Sequence, residues 1–178
     1  MNKYAFETER LVFRPWTIND ADACFALSSD EHVGPPCGWA PHKTIEETKE
    51  ILESILINDH TYCIIEKKTG NIVGNMGIDN IHDKEKQVKE DEKELGFWLG
   101  YPYWNKGYMT EAVKGTIEYC FNQLKLKKLW CGYFSDNPAS GRVQEKCGFK
   151  YQYKRSTHID VLNKDVEIIT GSIDNPNY

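Results

Sequence analysis

Apolar residues recur at spacings of three and four between Met109 and Leu124, through Ala112, Val113, Thr116, Ile117, Cys120 and Phe121. One stripe of that period predicts an amphipathic helix packed on a sheet. A second such stripe, Ile45, Thr48, Ile51, Leu52, Ile55 and Leu56, predicts a helix running to about Ile57. Thr44-Ile45-Glu46-Glu47 opens it as a capping box, and Thr17-Ile18-Asn19-Asp20 opens a shorter helix to about Ser28. Strands are expected at Arg10 to Trp16, Thr61 to Glu66, Ile72 to Asn80, Glu94 to Leu99 and Leu129 to Phe134. The second and third form a hairpin across Lys68-Thr69-Gly70-Asn71. A last hairpin pairs Phe149 to Arg155 with Val166 to Ser172, and Gly148 caps the helix that follows Pro138. The charged run from Ile81 to Lys93 reads as a solvated, mobile connection. Strands interspersed with helices and no internal repeat predict a mixed α/β sheet with helices on both faces.

The fourth predicted strand enters its helix through Asn105-Lys106-Gly107-Tyr108. Helix N-termini present unpaired N–H groups and a partial positive charge, so a strand, a glycine turn and a helix together bind anions. Glycine costs roughly 1 kcal/mol against alanine in a helix. Gly107 is therefore better explained by positive φ or by close approach of a ligand to the backbone. The fifth strand is followed by Asn137-Pro138-Ala139-Ser140, which opens a second helix with Asn137 as its N-cap. Two neighbouring strand-to-helix units suit one long ligand, phosphates on one helix end and reactive tip near the other.

At 178 residues, 40% hydrophobic, the chain is expected to be one domain, 1–178, with one core. A net charge of −5 argues against a nucleic-acid partner and fits a cationic amine. No apolar run approaches the roughly 20 residues of a membrane helix, and Met1 to Arg10 lacks a signal-peptide core, so a cytoplasmic protein is expected. Six cysteines show neither a C-x-x-C pair nor zinc spacing; they are expected to be buried structural thiols, Cys37 the most exposed, with no metal.

Four stretches carry a resemblance over nearly the whole chain: Thr8-Glu9-Arg10-Leu11-Val12-Phe13-Arg14-Pro15, Glu94-Leu95-Gly96-Phe97-Trp98-Leu99, Tyr103 to Ala112, and Asn137 to Phe149. In these the chain resembles the GCN5-related N-acetyltransferases (GNAT), and among them the branch that acetylates N-terminal alanine or serine of ribosomal proteins. Trp104 stands at the Gln/Arg position of the superfamily pattern Gln/Arg-x-x-Gly-x-Gly/Ala, and Met109 where Gly or Ala is usual. The resemblance implies a GNAT fold, with a mostly antiparallel sheet whose fourth and fifth strands splay apart. It implies acetyl-CoA as cosubstrate and direct attack of an amine in a ternary complex, without an acyl-enzyme.

On that resemblance, Asn105, Lys106, Gly107, Tyr108, Met109 and Thr110 take the pyrophosphate, and Phe97, Trp98 and Leu99 pair with the pantetheine arm. Asn137 also meets that arm, and Ser140 is the candidate general acid as well as a helix-start residue. Arg142 and Lys146 either approach the ribose phosphate or belong to a solvated basic surface. Glu94 is the candidate general base, against an ordinary surface carboxylate. Trp39 and His42 either touch the acceptor or anchor their loop. The acceptor is a protein N-terminus or a small-molecule amine, and the assembly a monomer or homodimer. The alternative is a non-catalytic acyl-CoA sensor.

Overall fold

The computed structural model describes residues 5–80 and 89–178, so most of the charged run assigned to a solvated connection, 81–88, lies outside the described residues. Eight strands form an open mixed sheet: β1 (Phe6–Glu7), β2 (Leu11–Pro15), β3 (Thr61–Glu66), β4 (Ile72–Asp79), β5 (Glu92–Leu99), β6 (Lys128–Phe134), β7 (Lys150–Ile159) and β8 (Lys164–Asp174). Their order is β1-β2-β3-β4-β5-β6-β8-β7. The α-helices are α1 (Ala21–Ser28), α2 (Ile45–Ile51), α3 (Tyr108–Asn122) and α4 (Pro138–Lys146). β5 and β6 are parallel, whereas β1–β2, β2–β3, β3–β4, β6–β8 and β7–β8 are antiparallel. Parallel neighbours need a crossover, and α3 is its helix. The β5–β6 register runs only from Glu92↔Lys128 to Leu95↔Cys131 while both strands continue, in keeping with the expected splay.

The chain divides into two compact units, Met1–Gly77 with Phe97–Tyr108, and Ile78–Gly96 with Met109–Tyr178. In the first, Trp16, Cys24, Leu27, Val33, Leu52, Leu56, Cys63 and Trp98 form one buried cluster. The buried Asn75 side chain accepts through its Oδ1 from Trp16 Nε1 at 2.8 Å. In the second, the α3 stripe is buried from Met109 to Phe121.

Four sequence expectations are corrected. Leu124 is exposed because α3 ends at Asn122. Ile55 is 61% exposed because α2 passes into a π turn, Ile57 N–H bonding Leu52 O, and the extra residue per turn rotates Ile55 outward. Glu92 is not a solvated linker residue but the buried start of β5, where Trp130 Nε1 (2.7 Å) and Lys89 Nζ (3.0 Å) satisfy its carboxylate. Burial raises its pKa, and the two hydrogen bonds together with the charges of Lys89 and Lys128 outweigh the burial, leaving it lowered. The short strand Phe6–Glu7 was not expected, and Phe6 stacks on Phe13 at 4.1 Å.

Five cysteines are buried and Cys37 is exposed, as expected. Burial pushes the Cys24, Cys63 and Cys120 thiols up to about 12, which keeps them protonated and unreactive.

Candidate active site

In the first unit the predicted pyrophosphate turn takes its shape from two left-handed residues, Asn105 at φ 60° and Gly107 at φ 78°. α3 starts at Tyr108, directly behind them. Trp104 Nε1 donates to Leu99 O at 2.7 Å, tying the turn to the end of β5. The indole at the motif's Gln/Arg position thus holds the loop rather than leaving it open. In the second unit Met109 is 8% exposed, the first of the buried residues of the α3 stripe. Of the predicted pantetheine strand, Trp98 packs against Trp16 and Trp39, ring centroids 6.3 and 5.9 Å apart.

The loop ahead of α2 is anchored from inside. A Cβ on Gly34 would fall 2.5 Å from Trp39 Cε3, so glycine there lets the indole lie flat on the backbone. His42 is buried, its Nδ1 2.8 Å from Ser28 Oγ and 2.9 Å from Thr48 Oγ1. Both hydroxyls already donate, to Cys24 O and Thr44 O. Their oxygens therefore accept, and His42 Nδ1 carries the proton. The imidazole pins the loop to α1 and α2, while Trp39 remains partly exposed.

Burial holds His42 below its ordinary value of 6.5, against a smaller opposite pull from Glu47. The folded chain therefore binds this proton less readily than the unfolded chain. The resulting stability is complete above 6.5 and is lost as pH falls through 6.5 toward the folded value. Urea midpoints should thus decline as pH drops from about 7 to about 5.5, and His42→Gln should flatten that slope. A variant keeping the wild-type slope would place the loss elsewhere. Asp20 and Glu92, both lowered, give up their stability only below 3.8 and 4.5.

In the second unit β6 links the two candidate catalytic residues. Its Trp130 pairs with Glu94, and its end, Phe134, leads in three residues to Asn137. Asn137 Oδ1 accepts from Ser140 N–H at 3.3 Å, the N-cap expected of it, and sets Ser140 in the first turn of α4. Glu94 is partly exposed. Its Oε1 lies 3.7 Å from where a Cβ on Gly132 would stand, so glycine on the neighbouring strand leaves the carboxylate room. Burial, with Glu94's charge second, pushes Cys131 up. Gly96 is on the same strand face as Glu94, and a Cβ there would meet nothing within 4 Å.

Gly96 is not among the residues that the sequence singles out for the site, although a glycine inside a strand is itself a sign of close approach. Arg142 lines a groove of about 430 Å³ with Tyr133, Gln144, Glu145, Phe149 and Tyr151, whose lining includes neither Glu94 nor Ser140. Lys146 is exposed on the last turn of α4. Among the described residues, no three His, Cys, Asp or Glu side chains are placed to hold a metal ion, and no helix is long and apolar enough to cross a membrane.

Residues 10–150 match the Acetyltransferase (GNAT) domain family. The uncharacterized N-acetyltransferase YoaA of Bacillus subtilis is 26% identical over 166 residues, covering 86% of this chain and 91% of its own. The ribosomal-protein-S5-alanine acetyltransferase of Vibrio fischeri superposes with a TM-score of 0.74 at 21% identity, covering 97% of each chain. The spermidine N-acetyltransferase of Vibrio cholerae, solved with CoA and spermine, gives 0.71 at 16% identity, covering 93% of this chain and 96% of its own.

Proposed function

Because the chain belongs to the GNAT acetyltransferase family and is an N-acetyltransferase, we propose that it moves the acetyl group of acetyl-CoA to a primary amine, foremost the α-amine of a protein N-terminus. The observation carrying this reading is Glu94, on a strand face that is left open at Gly96. The turn from Asn105 to Thr110 fits a diphosphate, since its glycine takes positive φ and its N–H groups open a helix. Backbone of Phe97 to Leu99 and the Asn137 side chain hold the pantetheine arm; Arg142 and Lys146 supply charge for the ribose phosphate.

The reaction forms a C–N bond and breaks a C–S bond. Glu94 takes the proton leaving the attacking amine, directly or through a water, and releases it to solvent, while Ser140 Oγ gives a proton to the departing sulfur and regains one from solvent. An α-amine has an unperturbed pKa near 8 against about 10.4 for lysine, so it reaches the neutral, nucleophilic form with less help. An N-terminal acceptor therefore suits a site whose base is one carboxylate. Trp39 offers the acceptor a partly exposed indole from a loop that His42 fixes. Two acetyltransferases that share this fold are named for a ribosomal protein alanine and for spermidine, both amines.

The test is an acceptor screen with acetyl-CoA, read by thiol release. Peptides with free N-terminal alanine or serine should turn over faster than N-blocked peptides carrying an internal lysine. Faster turnover of spermidine than of any peptide would reassign the acceptor. Thiol release no faster than hydrolysis with every amine would leave only acyl-CoA binding.

A further inference from the structure

Arg10 has no part in the reaction above, yet side chains from two other elements converge with it on the cofactor turn. Its Nη1 donates to Lys106 O at 3.0 Å, across 96 residues of sequence. Its guanidinium carbon lies 4.5 Å from the Tyr108 ring centroid, and Nη2 is 3.5 Å from where a Cβ on Gly107 would stand. Tyr108 in turn donates its hydroxyl to Glu66 Oε1, and Thr69 Oγ1 donates to Glu66 Oε2 at 2.6 Å. Three successive turn residues, Lys106, Gly107 and Tyr108, are thus bracketed by Arg10 just ahead of β2 and by the β3–β4 hairpin. All of these residues belong to the first unit.

The peptide group is planar and trans, so the Lys106 carbonyl and the Gly107 N–H point in opposite directions. By holding the carbonyl on its own side, Arg10 aims the Gly107 N–H to the other. A glycine turn has few steric barriers to rotation of that peptide plane, and a flip would turn the N–H away from an anion. We infer that Arg10 is a positioning residue for the coenzyme A diphosphate, fixing the donor geometry of the turn without taking part in acyl transfer. The inference rests on the reading that this turn takes the diphosphate.

The test compares acetyl-CoA with S-acetylpantetheine, which lacks the diphosphate and nucleotide. Arg10→Gln should raise KM for acetyl-CoA about tenfold, the scale of a hydrogen bond from a charged donor, with kcat changed by less than about twofold. KM for S-acetylpantetheine should barely move. Arg10→Lys keeps the charge but loses the planar fork and should recover only part of the loss; Tyr108→Phe should give a smaller loss of the same kind. A general defect in folding would lower activity with both donors and lower the melting temperature.

If Gly107→Val penalises only acetyl-CoA while Arg10→Gln affects both donors alike or neither, the positioning role is overturned and the turn's role stands. If Gly107→Val shows no preference between donors, the diphosphate placement fails and this inference fails with it.

Discussion

Glu94→Gln should lower kcat/KM roughly 10²-fold at neutral pH, the ordinary scale of losing a general base. The substitution keeps side-chain shape beside Gly132, so the strand should remain in place. Its neighbour two residues back, Glu92, is a poor alternative, because its two oxygens are engaged by Lys89 and Trp130 inside the fold. The sharper expectation concerns pH. As pH rises, more of the amine is already deprotonated and a base is needed less, so the deficit of the variant should shrink. A lost substrate contact would instead reduce activity by the same factor throughout. Parallel pH–rate profiles for wild type and Glu94→Gln, differing only in height, would show that Glu94 positions the amine. The proton would then have to leave through water.

The sequence made the periodic elements legible because their burial is local in origin. The α3 stripe, the Thr44 N-cap and the Lys68–Asn71 hairpin follow from spacing and turn chemistry, and each is present, though Glu47 closes no box because its carboxylate accepts from Lys43 N–H instead of Thr44 N–H. The misplacements share another cause. Ile55 turned outward because a π turn changed the helical phase, which an apolar pattern of period 3.6 does not encode. Glu92 looked like linker because its neighbours are charged; its burial is made tolerable by Lys89 nearby and by the indole of Trp130, 38 residues away, which leaves no local signal. The Asn137 cap was visible as a local motif, whereas the bond from Arg10 to Lys106 spans the chain and left no local signal. His42 shows the same limit. Its type and loop left acceptor contact and loop anchoring both open, and only the folded positions of Ser28 and Thr48 reveal what its Nδ1 does.

Gly107→Val should weaken acetyl-CoA binding by more than tenfold while the protein stays folded, since strain at one left-handed residue is about 1–3 kcal/mol and falls on a surface turn. Crowding is not the reason, because a Cβ at Gly107 would meet only the Arg10 guanidinium at 3.5 Å. The reason is φ. At 78° an L residue is disfavoured, and a β-branched one is disfavoured most. Rotation of the peptide planes would relieve the strain and carry the N–H groups proposed to bind the diphosphate out of place. This account separates two substitutions of similar size. Asparagine tolerates the left-handed region far better than valine, as Asn105 already does in the same turn at φ 60°. Gly107→Asn should therefore retain most of the affinity that Gly107→Val loses. Calorimetric titration of both variants with acetyl-CoA, alongside their melting temperatures, decides the matter. Equal losses in the two would mean that side-chain bulk, not backbone conformation, obstructs the ligand. Unaltered affinity in a folded Gly107→Val protein would remove the diphosphate from this turn altogether.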